Sequence, residues 1–533
     1  MLRSERGDAG RAGSATSASA EAGRRLRPVY GIVASTVLGV VVLAILGAVM
    51  GPQWDPTPLA DPLTVETSST AIGDAEQLGS YEVRTTIVTV QLDGTTIDAQ
   101  ISEPVGLDGP KPGVVFVHGA GTGRYDTAFL AQAHALAASG IVAMVPNKRL
   151  DTYTTRHRDY VAMAADYDAS VNLLQAYAGV DPDRVGLYAE SEGGWIAPVI
   201  AAEHPDVAFV VLVSSPVVPP REQAAFAVDS YLRNTGVPHG VFRAIPRAVG
   251  MSLPGGGFEY ADFDVAPYQR QMQQPVLVVY GTGDSSMPTI QGAEQVISDT
   301  AIAGNGDVTV RYYAGANHGI RVDGVVDTDF LRDLSGWVLG LPATAASSPR
   351  IAGDQPEQAY LAAPVPEPRW LGDGDLALAL AIAAVALIVL GPLAVAVSRG
   401  VEAGVGRVRG PGTASVPGPR FGRGILPGLI AVGVGSILTV VALVWYIVAI
   451  ARLALNYERN GWVVQGGWVL VRLLGIAVVL AGVLLARRYR RVRASGQPVA
   501  PGVVRTVVLW SGMAGSAILL IGLAYWGVYQ LGI

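Results

Sequence analysis

Hydrophobic positions along this chain of 533 residues follow two patterns, one of long apolar runs and one of short runs. A run of roughly 20 apolar residues is long enough to cross a bilayer as a helix. Runs of that length lie at 30–50, about 376–397, 425–451, 466–486 and 506–528. Between the first and the second, short β-branched runs alternate with helical stretches, which is typical of buried parallel strands covered by helices. The pattern therefore predicts an α/β domain and five membrane helices, the last four of them within 375–533.

Composition places the boundaries of these regions. Residues 1–28 are mainly Ser, Ala, Gly and Arg, which predicts a disordered tail. The helix at 29–50 is interpreted as an uncleaved anchor, because the apolar core of a cleaved signal peptide, the alternative, is normally shorter, ~7–15 residues. Segments 51–80 and 341–374 are rich in Pro and small residues, so we expect linkers on either side of an α/β domain at 81–340.

The α/β domain is expected to contain a mostly parallel sheet that begins antiparallel. Asp93-Gly94 stands between two strand-like runs, which is a hairpin signal. Residues 217–272 interrupt the series of strands between 208–214 and 275–281. Because this segment mixes apolar and aromatic residues, it is interpreted as a small helical cap that lines an acyl or aromatic pocket. A surface excursion with its own small core fits equally well.

An uneven distribution of charge separates the two kinds of region. The net charge is −6, yet from residue 376 onward there are fourteen arginines, no lysine and two acids, so this part carries +12 and the first 375 residues carry −18. An acidic domain is a poor partner for nucleic acid, whose phosphates require clustered Lys and Arg. The absence of cysteine excludes disulfides, thiolate metal sites and a cysteine nucleophile. No metal or cofactor is expected.

The arginines also predict the orientation in the membrane. They cluster in the N-terminal tail, in the loop after the second long apolar run and in the loop after the fourth. Cytoplasmic loops carry an excess of Lys and Arg, so these three segments are expected to lie in the cytoplasm. With five spans, the protein is then a multi-pass protein of the cell membrane with a cytoplasmic N-terminus and an extracytoplasmic α/β domain.

Ser191 is the candidate nucleophile of the α/β domain. It lies in "LYAESEGGW", residues 187–195, where a strand-like run meets a helical one. A serine at such a sharp turn is presented to substrate, and Ala189 and Gly193 are small enough to let the strand and helix backbones come close. An ordinary helix N-cap serine is the alternative interpretation, since serine is favoured at that position. Glu190 and Glu192, on either side of Ser191, are assigned a structural role, and a second catalytic carboxylate is the alternative.

Three further segments supply the other parts that acyl transfer by serine needs, which are a base, an orienting carboxylate and oxyanion donors. The run "VVFVHGAGTG" ends in a glycine-rich turn at Gly119 and Ala120, which can direct backbone N–H groups into a site. Asp284 follows another strand-like run in a glycine-flanked loop, and His318 follows the next such run. The order Ser, Asp, His at strand ends is more specific than any of these pieces alone.

With this order of motifs, the chain from about 81 to 340 resembles the α/β-hydrolase superfamily. The runs "SEGGWIAP" and "NKRLDTY" look like those of serine esterases and of dienelactone-hydrolase-like or acyl-peptidase-like members. The resemblance implies that Ser191 is the nucleophile, that His318 is the general base and that Asp284 orients His318.

The resemblance also implies an oxyanion hole. It would be formed by the backbone N–H groups of Glu192 and of Ala120, or of its neighbour Gly119. The chain departs from the family pattern at two positions. Ala189 replaces the first glycine of the nucleophile motif, and Asn147 stands where relatives often have aspartate, which removes any salt bridge of that aspartate.

The sequence thus predicts a membrane-anchored serine hydrolase that cleaves a carboxylic ester, small or lipid-like, through an acyl-enzyme outside the cytoplasm. A peptidase or thioesterase of the same fold, and a non-catalytic receptor or scaffold with a ligand-binding domain, are the alternatives. The last four apolar runs contain no acid, and Arg472 is their one internal charge. Because ion and proton pathways use intramembrane acids, these runs are expected to anchor the protein in the lipid bilayer, to form homo-oligomers or to deliver a lipid-like substrate.

Overall fold

The computed structural model describes residues 9–52, 56–73, 79–238, 241–242, 244–408, 420–455 and 458–531. Contacts between residues divide the chain into two units. The first, called the α/β unit, comprises Trp54–Tyr231 and Gly256–Val365. The second, called the helical unit, comprises Met1–Gln53, Leu232–Gly255 and Pro366–Ile533.

The strands of the α/β unit form one large sheet and one short ribbon. They are β1 (Val83–Leu92), β2 (Thr95–Pro104), β3 (Lys111–Val117), β4 (Val142–Pro146), β5 (Val180–Glu190), β6 (Val210–Val213), β7 (Val276–Gly281), β8 (Val308–Tyr313), β9 (Arg321–Val322), β10 (Val325–Val326) and β11 (Ile351–Gly353). The sheet has nine strands in the order β1-β2-β4-β3-β5-β6-β7-β8-β11, and β9 pairs with β10. Strand β2 is antiparallel to β1 and β4, and every other neighbouring pair in the sheet is parallel.

The antiparallel start of the sheet confirms the hairpin prediction. Leu92 pairs with Thr95, which leaves Asp93 and Gly94 as a two-residue loop. Gly94 has a φ of +71°, a left-handed conformation that glycine adopts without steric cost. The prediction of a mostly parallel α/β sheet is therefore confirmed in both of its parts.

Helices cover both faces of the sheet. They are α2 (Leu130–Ala138), α3 (Tyr160–Gln175), α4 (Gly193–Glu203), α8 (Thr289–Ile302) and α9 (Thr328–Gly340). The segment between β6 and β7 contains α5 (Pro220–Asn234), α6 (Ala244–Val249) and α7 (Ala266–Gln269). Val115 and Val117 of β3 belong to the core formed with α3, α4 and α8, whereas Val114 and Phe116 belong to the core formed with α2 and α9. Alternate residues of a strand point to opposite faces, so a strand buried on both faces is apolar at every position.

The two segments predicted as linkers differ from that expectation, because parts of both pack on the α/β unit. Residues 351–353 form β11, which extends the sheet beside β8. Leu63 and Ile72 are buried, and Gln355 donates a hydrogen bond to Leu63 O at 2.6 Å. A strand at the sheet edge presents unpaired backbone groups, so a neighbouring segment that pairs with it becomes ordered.

The helical unit contains the five long helices that the apolar runs predict. They are α1 (Ala9–Val49), α10 (Gly374–Val408), α11 (Ile425–Leu455), α12 (Gly467–Ala494), which follows a π-helical turn at Trp462–Gly466, and α13 (Val503–Tyr525). In the described part of the chain, five segments of these helices are long and apolar enough to cross a membrane. The start of α1 at Ala9 differs from the disordered tail predicted for 1–28, since its alanines favour helix, and residues 1–8 lie outside the described residues.

The insertion predicted as a cap is helical, but its middle part, Leu232–Gly255, groups with the helical unit. Arg247 in α6 is fully buried there, and its Nη2 donates to Gly47 O at 2.8 Å. Its guanidinium lies 4.7 Å from the centroid of the Tyr525 ring. The segment 217–272 is therefore not one self-contained cap, because the part around Arg247 takes its contacts from α1 and α13.

Candidate active site

Ser191 lies at the junction of β5 and α4, where the sequence predicts a sharp turn. Its φ is +56°, in the left-handed region that a residue with a side chain adopts only when the surrounding structure holds it there. Its N–H donates to Val213 O of the neighbouring strand at 3.0 Å, which fixes the turn against the sheet. The serine side chain is thereby presented at the carboxyl end of the sheet, where ligands bind in open α/β folds.

The small residues on either side of Ser191 have a steric reason. A Cβ added at Gly193 would lie 2.7 Å from Val117 O, closer than a carbon atom can approach, so glycine is required at that position. The side chain of Ala189 is fully buried, and its Cβ would lie 3.3 Å from that same added atom. A methyl group at position 189 is therefore accommodated as long as residue 193 remains glycine, which accounts for the missing first glycine.

Asp284 and His318 form a hydrogen-bonded pair at the ends of β7 and β8. His318 Nδ1 lies 2.7 Å from Asp284 Oδ2, and Asp284 Oδ1 accepts from Ser286 N at 2.9 Å and from Ser286 Oγ at 2.6 Å. Burial alone would raise the pKa of Asp284, but the charge of His318 and these hydrogen bonds outweigh it and lower that pKa. The carboxylate is therefore ionised and orients the imidazole through Nδ1.

The same pairing changes the basicity of His318. Burial lowers the pKa of His318, but the charge and hydrogen bond of Asp284 and the charge of Glu190 outweigh burial, so the pKa is raised. Tyr188 donates to Glu190 at 3.3 Å, and this holds the second carboxylate in place. The arrangement favours a histidine that accepts a proton readily.

Of the three residues predicted as a triad, hydrogen bonds in the described structure join only two. Asp284 and His318 are bonded to each other, whereas Ser191 Oγ makes no hydrogen bond among the described residues. In proteins without bound substrate such contacts are often long and tighten when substrate binds. The transfer of a proton from Ser191 to His318 therefore belongs to the proposal below.

The glycine-rich turn after β3 passes directly beside Ser191. A Cβ added at Gly119 would lie 3.1 Å from Ser191 Cβ and 3.2 Å from Glu190 O. His118, fully buried, anchors this turn through a contact of 2.6 Å between its Nε2 and Pro146 O. Burial lowers the pKa of His118 to about 4, so the ring is neutral and Nε2–H donates to the carbonyl.

Three backbone N–H groups lie in the two chain segments next to Ser191. Within the described residues, the N–H groups of Gly119, Ala120 and Glu192 have no hydrogen-bond acceptor in the protein. These are the three groups predicted to form the oxyanion hole. Free N–H groups next to a serine can stabilise the negative charge of a tetrahedral intermediate.

Sequence reasoning missed a group of charged side chains that meet at Glu192, the residue after Ser191. We call this group, which consists of Lys148, Arg158 and Glu192, the elbow ion cluster, after the sharp turn at Ser191. Glu192 accepts from Lys148 Nζ at 2.9 Å and from Arg158 Nη1 at 2.5 Å, and its exposed fraction is only 1%. Tyr153 donates to the same carboxylate at 3.2 Å. The run "NKRLDTY" contains Lys148 and Tyr153, but no local pattern indicates that these residues meet Glu192.

Comparison with known proteins agrees with this fold. Residues 166–323, which include Ser191, Asp284 and His318, match the family model described as BAAT / Acyl-CoA thioester hydrolase C terminal. The match covers less than a third of the chain. No curated protein shows significant similarity to the chain. The match lies within the α/β unit, whose mostly parallel sheet agrees with the α/β-hydrolase fold that its motifs predict.

Solved structures with hydrolase folds resemble about half of the chain. A hyperthermophilic esterase from the archaeon Pyrobaculum calidifontis is 21% identical, with 50% of this chain and 84% of that chain covered and a TM-score of 0.34. A protein from Klebsiella pneumoniae subsp. pneumoniae assigned as a dienelactone hydrolase is 18% identical, with 50% and 99% covered and a TM-score of 0.35. The 2,6-dihydroxy-pseudo-oxynicotine hydrolase is 16% identical, with 50% and 71% covered and a TM-score of 0.36. Likenesses this low carry no argument about substrate.

Proposed function

We propose that the chain is a membrane-anchored serine hydrolase that cleaves carboxylic esters. The observation that carries the proposal is that Ser191, in a strained conformation, adjoins three backbone N–H groups without an acceptor among the described residues, in a unit that also contains the hydrogen-bonded Asp284–His318 pair. Each part has a role in acyl transfer, and the raised pKa of His318 suits a general base.

The proposed reaction proceeds in two steps. Ser191 Oγ attacks the ester carbonyl while His318 Nε2 takes the hydroxyl proton, and the oxyanion is held by N–H groups of Glu192 and of Ala120 or Gly119. Collapse of the tetrahedral intermediate breaks the bond to the alcohol, which leaves with the proton from His318. Water then attacks the acyl-enzyme with the same base, which releases the acid and restores Ser191. Asp284 keeps the imidazole in the tautomer that this requires.

The location of the reaction is part of the proposal. Five apolar helices support anchoring in the membrane, and the clusters of arginine outside them favour a cytoplasmic N-terminus. The α/β unit would then work outside the cytoplasm on a small or lipid-like ester.

Ester hydrolysis by the purified full chain in detergent tests the chemistry. With p-nitrophenyl butyrate, Ser191→Ala and His318→Ala should each lower kcat by roughly 10⁴- to 10⁶-fold, since either change removes a reacting group. Ser170, a fully buried serine in α3, offers a matched control, and Ser170→Ala should keep kcat within about tenfold. Turnover that survives Ser191→Ala would contradict the proposal.

Thioester hydrolysis is a second candidate, because the matching family model is described as a thioester hydrolase. Oxygen and sulfur esters of the same acyl chain separate the two activities. If the ratio of kcat/KM for the sulfur ester to kcat/KM for the oxygen ester exceeds the ratio of their uncatalysed hydrolysis rates, the thioesterase would be supported. A ratio equal to or lower than the uncatalysed one would support the esterase.

A further inference from the structure

Lys148 connects the two backbone segments that carry the candidate oxyanion donors. Its Nζ donates to Gly119 O at 2.7 Å and to Glu192 Oε2 at 2.9 Å. Gly119 lies in the turn after β3, and Glu192 follows Ser191 directly. One ammonium group, whose side chain is only 2% exposed, therefore contacts both segments of the candidate oxyanion hole.

The bond to Gly119 O also determines where the next N–H group points. In a trans peptide the C=O of one residue and the N–H of the next lie in one plane and point in opposite directions. When Lys148 holds Gly119 O, the Ala120 N–H must point away from Lys148. The other contact, to Glu192, restrains the segment that carries the Glu192 N–H. A single side chain thus restrains both donors.

Stability does not explain why these charges are buried. Ions that are removed from water lose their free energy of hydration. Their mutual attraction in the interior compensates for only part of that loss, so a buried ion pair is a weak source of stability. Arg158 and Lys148 both lie over the Tyr153 ring, at 4.9 and 4.6 Å from its centroid, and the cluster is therefore packed closely as well as charged. Such a cluster has its best-attested use in specifying one geometry.

We propose that Lys148 is a positioning residue that aligns the oxyanion donors by bridging Gly119 and Glu192. The inference rests on the proposed function and deepens it. Lys148 does not touch the substrate. Its effect is exerted on the transition state, because only the developing oxyanion requires both donors to point at one atom.

The test compares Lys148→Met with three other variants of the full chain, which are Arg149→Met, Glu192→Gln and a double variant, using kcat, KM and thermal unfolding. Arg149→Met is the matched control, because Arg149 is the next residue and pairs with Asp151 and Asp166 but contacts neither Gly119 nor Glu192. The double variant Lys148→Met/Glu192→Gln removes one positive and one negative charge. It keeps the net charge of the elbow ion cluster at that of the wild type, but it lacks the bridge.

In Lys148→Met, kcat should fall about 10- to 100-fold while KM changes by less than about threefold, since a transition-state interaction is weakened. Arg149→Met should retain the wild-type kcat. The double variant should recover thermal stability relative to Glu192→Gln without recovering kcat. A purely structural role predicts instead that kcat returns together with stability.

The outcomes separate this inference from the proposed function. Wild-type turnover that depends on Ser191, combined with an unchanged kcat in Lys148→Met, would overturn the positioning role alone. A kcat that returns to the wild-type value in the double variant would also overturn it. No turnover in the wild type would overturn both.

Discussion

Two buried cations, Lys148 of the α/β unit and Arg247 of the helical unit, are stabilised in different ways. In the α/β unit, Lys148 lies between a carboxylate, that of Glu192, and a carbonyl. In the helical unit, Arg247 donates to Gly47 O in the last turn of α1 and lies over Tyr525, the last residue of α13. The first arrangement pairs opposite charges beside the candidate nucleophile. In the second, the cation is bound by a backbone carbonyl at the end of a helix.

The contact between Arg247 and Gly47 O is favourable for a reason that applies to any helix end. The last carbonyls of a helix lack partners within the helix and lie at the negative end of its dipole, and they can therefore hold a cation. Arg472 also donates to a backbone carbonyl, with Nη2 at 2.6 Å from Gln530 O, although that carbonyl lies beyond the end of α13. We infer that the charge of Lys148 serves chemistry and that the charge of Arg247 serves assembly.

The largest effect should come from a change to the charged pair of the candidate site. Asp284→Asn leaves the shape of the side chain intact but removes the charge that holds the His318 tautomer, so kcat should fall about 10⁴-fold with little loss of fold. Steady-state kinetics and circular dichroism measure the two effects. The matched control is Asp299→Asn, at a buried aspartate paired with Arg270, which should keep kcat. If both changes reduced kcat equally, the effect would not be specific to Asp284, and its role in orienting His318 would be contradicted.

A smaller effect, on stability alone, is expected in the helical unit. Arg247→Met removes a buried hydrogen bond to a charged donor, so unfolding should be easier by about 2 kcal/mol. The measurement is denaturant unfolding in detergent. Arg490, an exposed arginine in the last turns of α12, provides the control, and Arg490→Met should have little effect. A loss of kcat in Arg247→Met without a loss of stability would break the division between the two units.

The smallest effect concerns the pH dependence of His318. The negative charge of Glu190 helps to raise the pKa of His318, so Glu190→Gln should lower that pKa. Because the neutral imidazole is the active base, the acidic limb of the kcat/KM profile should move to lower pH, with less than about a tenfold change in its plateau. A limb that moves to higher pH would contradict the sign of this electrostatic effect.

Features encoded by local sequence patterns were predicted, and features that depend on distant contacts were not. The hairpin at Asp93-Gly94, the parallel strands and the junction at Ser191 follow from periodicity and turn chemistry within a few residues. The pairing of Asp284 with His318 was implied by the family resemblance, which rests on the order of the motifs along the chain. By contrast, Lys148 and Glu192 are 44 residues apart, and no periodic pattern connects them.

The same reason accounts for the boundaries that differed. Segments rich in Pro and Ser were predicted to be linkers. One of them contains β11, which pairs with β8 at the edge of the sheet, and the local composition does not indicate this pairing. Residues 232–255 have the composition of a cap, but the buried Arg247 takes its partners from α1 and α13. In both cases a partner far along the chain decides the structure.

The most direct test of the central claim is the labelling of intact cells with a membrane-impermeant fluorophosphonate. This reagent reacts with an activated serine and reports at once the chemistry of Ser191 and the side of the membrane on which it lies. We predict labelling of the wild-type chain in intact cells, and none of Ser191→Ala at the same expression level. Labelling only after permeabilisation would contradict the location, and labelling that persists in Ser191→Ala would contradict the role of Ser191.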